Sequence, residues 1–238
     1  MTKVEALKAL LEENGGVASW RYIYDNIERY YPPAKSPAEW EAALRGVLYR
    51  EIRNNRNFKR IGFGVYALAE YEREDPAKVL KDRRRMHPYM EGVMVEIGNR
   101  EGYRTYCADP SAAFQPNVFL SQLTTLHDFP PFTYPEIVER ARRIDVVWFT
   151  AKGDLFPKRA VEIVDSLGTL GDSLFRMYQL KEFQTEFYVL ADRAKVGRIK
   201  ETLDREPYSI ERRRFTVKSY DKALEYYKAL LKRENVSF

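Results

Sequence analysis

Val4, Leu7, Leu10 and Leu11 recur at helical spacing, and the pattern stops at Asn14-Gly15-Gly16, which predicts a first helix with a glycine cap. Ser19 can cap a second helix holding Trp20, Ile23, Tyr24 and Ile27, closed by Pro32-Pro33. Ser36, with Pro37 as first helical residue, predicts a third helix running through Trp40, Leu44, Leu48 and Ile52. The runs FKRI and VYALAEY then flank Gly62-Phe63-Gly64 and read as two strands around a glycine turn.

Residues 72–86, EREDPAKVLKDRRRM, are charged, poor in apolar positions and carry a proline, so they read as a connector. From His87 the pattern becomes an amphipathic helix, EGVMVEIGNREG, and then a strand, YRTYCAD. Residues 110–134 read as loop apart from a short helix at LSQLTTL, and PEIVERARR is a further helix leading to Asp145. Beyond it come strands at VVWF and VEIV, a helix from about Leu170 to Phe183, a strand EFYVLAD, a helix KVGRIKETLD, a strand RFTVKSY and a terminal helix DKALEYYKALLKR. This order predicts an α/β domain with a mixed sheet and helices on its faces. The division expected is residues 1–71, a connector at 72–86, and residues 87–238.

Composition narrows the chemistry. The 238 residues are 45% hydrophobic, enough for a substantial core, and the single cysteine excludes an internal disulfide and any cysteine-cluster zinc site. With His87 and His127 as the two histidines, a His-rich metal site is not expected, so a bound metal would be held mainly by oxygen, which favours Mg²⁺ or Mn²⁺. A mean hydropathy of −0.54, no apolar run of membrane-spanning length and no basic-then-apolar leader predict a cytoplasmic protein with no membrane partner. The net charge of +5 is modest, but its distribution is uneven: Arg45, Arg50, Arg53, Arg56, Lys59 and Arg60 form one cluster, Lys81, Arg83, Arg84 and Arg85 a second, and Arg212, Arg213 and Arg214 a third. Such clusters are the footprint of a phosphate-binding surface and are also common on plain solvated faces.

Asp145 opens the apolar run VVWF and Glu162 sits inside VEIV, where strand propensity favours a β-branched residue. Each acid on these adjacent strands needs either a cationic side chain or a metal. On the following helix Ser173, Arg176 and Gln179 recur every three residues, a polar stripe that would contact phosphate if it faces the acids and is ordinary surface if it faces solvent.

Three helices followed by a two-stranded hairpin, with arginines on the third helix, is the order of a winged helix-turn-helix, and GGVASWRYIYDNIERYYP together with FKRIGFGVYAL resembles the HARE-type winged helix. That resemblance implies contact with double-stranded DNA through Arg45, Arg50, Arg53, Arg56, Lys59 and Arg60. The surroundings of Asp145 and Glu162 resemble the PD-(D/E)XK superfamily, the restriction-endonuclease-like nucleases, in which one acid precedes a hairpin and a second acid and a lysine follow two residues apart. The resemblance implies that Asp145, Glu162 and a helical glutamate, Glu96 in Gly92-x-x-x-Glu96, bind Mg²⁺ or Mn²⁺ for phosphodiester hydrolysis.

The sequence departs from that pattern at Val164, which stands where the lysine belongs and can neither hydrogen-bond water nor balance charge. Lys158 and Lys181 are the candidates for a migrated lysine, and Gln179 of the polar stripe is a further candidate catalytic residue. The reading is therefore a metal-dependent DNA endonuclease of restriction or repair type, with a catalytically inactive nuclease-fold DNA-binding or regulatory protein as the alternative; homodimerisation is left open.

Overall fold

The computed structural model describes residues 1–72 and 74–236; Arg73, within the expected connector, lies outside the described residues. Helix α1 (Lys3–Glu13) opens on a reciprocal cap, with the Thr2 hydroxyl accepting from the Glu5 amide and the Glu5 carboxylate accepting from the Thr2 amide. Strand β1 (Val17–Ser19) leads into α2 (Trp20–Asn26), whose N-cap is Ser19, and then into α3 (Trp40–Arg53). The third helix starts three residues later than Pro37, because Pro32–Lys35 forms a 3₁₀ turn and the Ser36 amide closes it by donating to the Pro33 carbonyl.

Strands β2 (Phe58–Arg60) and β3 (Val65–Leu68) form the expected hairpin, and β1 joins it to give an antiparallel sheet in the order β1-β3-β2. Leu7, Leu10 and Leu11 of α1 pack with Ile23, Leu44 and Leu48, all fully buried, so the helical spacing read from the sequence is the core of this unit. A buried leucine of this kind contributes roughly 1.5–3 kcal/mol relative to leaving it in water.

Residues 72 and 74–86 are more structured than a connector. They hold α4 (Pro76–Val79) and the start of α5 (Arg83–Arg100), and Arg85 forks onto the Glu74 carboxylate at 2.6 and 3.2 Å. Val79 and Met86 belong to the same apolar cluster as Val17, Ile61, Val65 and Ala67, so the core runs without a break from the N-terminal sheet into α5. Every residue from Tyr89 to Gly98 of α5 is buried, the pattern of a helix covered all round.

After α5 come β4 (Arg104–Cys107) and a small hairpin, β5 (Ala113–Gln115) with β6 (Val118–Phe119), in a stretch that the sequence pattern assigns to loop. Then follow α6 (Pro135–Ala141), β7 (Val146–Phe149), β8 (Pro157–Val164), α7 (Leu170–Tyr178), β9 (Glu186–Ala191), α8 (Val196–Leu203), β10 (Phe215–Ser219) and α9 (Tyr220–Val236). The larger sheet has the order β10-β9-β8-β7-β4; β10, β9 and β8 run parallel, while β7 is antiparallel to both β8 and β4.

This mixed sheet is covered on both faces. Val146, Trp148, Val161, Ile163 and Leu190 meet α5 and α9, whereas Val147, Ala160, Val164, Val189 and Ala191 meet α7 and α8. No helix among the described residues is long and apolar enough to cross a membrane.

Candidate functional site

The register of the larger sheet brings Asp145 to the end of β8. Val146 lies opposite Val161, so Asp145, one residue earlier on an antiparallel strand, comes level with Glu162. Its Oδ2 accepts from the Ile163 amide at 2.7 Å, and its backbone carbonyl accepts from Ala108 at 3.0 Å. The carboxylate is thereby held at the C-terminal end of β8, where the parallel strands finish and ligands commonly bind in open α/β sheets.

Helix α5 passes this end of the sheet with His87 and Glu91, one helical turn apart on a common face. His87 Nε2 lies 3.6 Å from Asp145 Oδ2 and 3.7 Å from Glu91 Oε1. One donor atom from each of His87, Glu91 and Asp145 falls within 4.8 Å of the others. Among the described residues no hydrogen bond reaches the Glu91 carboxylate, whose side chain is only 3% exposed; its ion-pair partner is His87. Burial pushes the Glu91 carboxyl up to about 8; His87 opposes this, and Asp145, Asp109 and Glu162 reinforce it. Burial works to lower the His87 imidazole, but the Asp145 carboxylate 3.6 Å away, followed by the charges of Glu91 and Asp165, outweighs it and carries His87 to about 9.

Glu162 takes a different partner. By strand alternation its side chain lies on the α7 face, fully buried, and Arg176 grips it in a two-pronged fork, Nε to Oε1 at 2.9 Å and Nη2 to Oε2 at 2.6 Å. Burial and the Asp145 charge raise the Glu162 carboxyl, and the Arg176 fork opposes both. Glu162 and Asp145 thus influence one another, while the triad of ligand-capable atoms includes Asp145 and omits Glu162.

The glutamate expected from α5 is also replaced. Glu96 follows Glu91 by five residues, roughly 140° around the helix, so the two acids face different directions. Its fully buried carboxylate accepts from the Gly64 amide at 3.2 Å and from the Tyr227 hydroxyl of α9. A Cβ added at Gly62 would sit 2.7 Å from both Glu96 carboxylate oxygens, so the glycine turn fits because it lacks a side chain there. Gly92 lies on the same side as Glu96, against the ring of Phe114. The Gly92/Glu96 face therefore meets β5 and the β2/β3 turn, away from Asp145.

The two candidate lysines and Gln179 lie elsewhere. Lys158 is the second residue of β8, four residues and about 13 Å of strand before Glu162. Lys181 follows α7 and pairs with Glu182 at 3.7 Å. Gln179 accepts from Arg140 at 3.2 Å and donates to the Phe175 carbonyl at 3.0 Å. Of the polar stripe on α7, Ser173 and Arg176 turn inward to Glu162.

The basic cluster running from α3 into β2 divides into two groups. Arg45 donates to the Tyr24 hydroxyl at 2.6 Å, Lys59 to the Ala69 carbonyl at 2.9 Å, and Arg60 to the carbonyls of Gly62 and Phe63 at 2.9 and 2.8 Å. Arg50, Arg53 and Arg56 are exposed and form no ion pair among the described residues.

His87 and Glu91 are the site residues that the sequence pattern left out. Their signal was the four-residue spacing, obscured because α5 begins inside the charged stretch assigned to a connector and carries Pro88. Two carboxylates and an imidazole make a mixed oxygen and nitrogen donor set, which departs from the oxygen set expected from sequence: carboxylates suit Mg²⁺ and Mn²⁺, whereas imidazole suits later divalent ions such as Zn²⁺ or Fe²⁺. Ligands bound cis to a small divalent ion lie about 3 Å apart, so the observed spacings require the donor atoms to draw inward by about half an ångström or more.

Compared with known protein families, with curated proteins and with solved structures, the chain has no match.

Proposed function

We propose that this protein binds double-stranded DNA through a winged helix and hydrolyses a phosphodiester bond with a divalent metal, Mn²⁺ or Mg²⁺, in a PD-(D/E)XK-like domain. The observation that carries the reading is the meeting of His87, Glu91 and Asp145, one donor atom of each within 4.8 Å of the others. Two carboxylates brought together with so little exposure repel one another, and a shared divalent cation would relieve that repulsion. The strand order supports the same reading: a helix (α5), three strands joined in antiparallel fashion (β4, β7, β8), a helix (α7) and a strand parallel to the third (β9).

His87, Glu91 and Asp145 would hold the ion, which when bound polarises a phosphoryl oxygen and lowers the pKa of an attacking water. The protein's own contribution is positional. The Ile163 amide fixes the Asp145 carboxylate at the sheet end, and Arg50, Arg53 and Arg56 offer exposed charge to the DNA backbone. In the overall reaction a water oxygen bonds to phosphorus, one ester P–O bond breaks, and the departing alkoxide takes a proton.

A second reading, a nuclease-fold DNA-binding protein without hydrolytic activity, is favoured by the closure of Glu162 with Arg176 and by Val164 beside it. The two separate on one assay. Plasmid, linear and branched duplex DNA are incubated with Mn²⁺ or Mg²⁺, using wild type and Asp145→Asn. Metal-dependent cleavage that Asp145→Asn abolishes is the expected result. Intact DNA under every condition, with retained duplex binding, would remove the nuclease reading and leave the binder.

A further inference from the structure

We infer that Arg176 is a phosphodiester-binding residue, presenting one edge of its guanidinium to a DNA phosphate while the other edge locks onto Glu162. This rests on the nucleic-acid reading above and assigns the cationic role to a residue outside the lysines considered from sequence.

The geometry of a single side chain carries the inference. A guanidinium has five N–H donors in a fixed plane. Arg176 uses Nε for Glu162 Oε1, and Nη2 for Glu162 Oε2 and, at 3.3 Å, for Ser173 Oγ. Nη1 has no hydrogen-bond partner among the described residues, and the side chain is 27% exposed whereas that of Glu162 is 1% exposed. Glu162 and Ser173 thus anchor one edge of the plane and leave the Nη1 edge open. With Nε and both Nη2 hydrogens engaged, the two in-plane N–H donors of Nη1 remain for an acceptor such as a phosphate oxygen, at an orientation that Glu162 fixes.

The surroundings explain why such a group is needed. Asp145 lies near enough to act electrostatically on both Arg176 and Glu162, and Glu91 and Asp165 act on His87 beside it. A phosphodiester approaching Asp145 and Asp165 meets carboxylate charge that His87 and a bound cation offset only in part, so a further fixed cation favours its approach. Val164, two residues beyond Glu162 and on the same strand face, offers no charge, and Lys158 sits at the opposite end of β8. Lys195 is a further cation on this side, but its ammonium already donates to the Asp165 carbonyl at 2.6 Å, and it presents no planar pair of donors. Arg176 combines a fixed orientation with an open edge.

The test uses thymidylyl-(3′→5′)-thymidine, which carries one phosphodiester, titrated into the full chain in Mg²⁺ buffer while arginine side-chain resonances are followed by NMR. Wild type is expected to show saturable shifts of the Arg176 Nη signals. Arg176→Lys keeps the charge and one bond to Glu162 but loses the planar edge, and should bind the dinucleotide about tenfold more weakly, whereas Lys195→Met should change affinity less than twofold. Equal affinity in Arg176→Lys and wild type, loss confined to Lys195→Met, or no saturable shift at Arg176 would overturn the proposal. If Arg176→Lys does not fold, the wild-type shifts still decide it.

Cleavage assays on the same proteins separate this inference from the nuclease reading. Dinucleotide binding at Arg176 without any metal-dependent cleavage would retire hydrolysis and keep the phosphate contact. Cleavage that is unchanged in Arg176→Lys would do the reverse.

Discussion

In the metal-free protein, raising the pH from 6.5 to 9.5 should destabilise the fold through His87. An unfolded imidazole titrates near 6.5, and the native one is carried to about 9 by Asp145, Glu91 and Asp165. The native state therefore binds the proton more tightly, so the stabilisation is complete below pH 6.5 and drains away as the pH climbs through 9. A displacement of that size corresponds to roughly 3 kcal/mol, and screening of a side chain that is 32% exposed reduces it to about 2 kcal/mol. Glu91 adds to the loss with the same sign, because its carboxyl, held up to about 8 by burial, resists ionisation in the native state over the lower part of the range. For a chain of this length about 2 kcal/mol lowers the Tm by roughly 4–8 °C. The assay is thermal unfolding in EDTA across the pH series, with His87→Gln/Glu91→Gln as the control that removes both groups. A wild-type Tm that stays level between pH 6.5 and 9.5, or a double variant that falls as steeply as wild type, would refute the electrostatic account of the cluster.

Two further outcomes follow from other contacts. Tyr227→Phe removes a donor from the fully buried Glu96 carboxylate and should cost about 1–3 kcal/mol, read as a lower midpoint in urea, while His87, Asp145 and their environment stay intact. Replacing Arg50, Arg53 and Arg56 together by alanine removes three exposed cations and should lower the salt dependence of duplex binding by up to about 2.7 in the slope of log K against log salt; an unchanged slope would take α3 out of the DNA interface.

The sequence made some of this legible because local rules and the tertiary fold agree. Leu7, Leu10, Leu44 and Leu48 point inward as their spacing requires, and the strands at VVWF and VEIV lie side by side, so Asp145 and Glu162 come level. Other features needed information that no local window holds. Strand β1 has three residues and exists because β3 pairs with it. The β5/β6 hairpin turns at Asn117, a left-handed residue with φ 61°, inside a stretch whose prolines suggest loop. The helical spacing of His87 and Glu91 was readable, but the charge run before it, the very segment that caps α5 through Asp82, argued for a connector. Glu96 is the converse case: the same helix carries two buried acids, and only the rotation of α5 against the sheet decides which one meets Asp145.

That rotation also explains how the two halves of the chain depend on each other. Helix α5 is buried on all sides from Tyr89 to Gly98, and its two glutamates are the polar side chains that interrupt its apolar surface there. Each faces a different half of the protein: Glu91 faces Asp145 at the sheet end, and Glu96 accepts from the amide of Gly64 in the β2/β3 turn. The turn is consumed in this packing, with Arg60 donating to its carbonyls and Phe63 packed edge-on to Tyr227. If this unit binds DNA as a winged helix, this turn would be the tip of its wing, and the packing would leave most of the duplex contact to the exposed arginines of α3 and the loop after it. Moving that unit relative to the acid cluster would require breaking the Glu96 contacts inside a continuous core. DNA held by Arg50, Arg53 and Arg56 would therefore sit at a fixed distance from His87, Glu91 and Asp145, set by the packing of one rigid helix rather than by the reach of a linker.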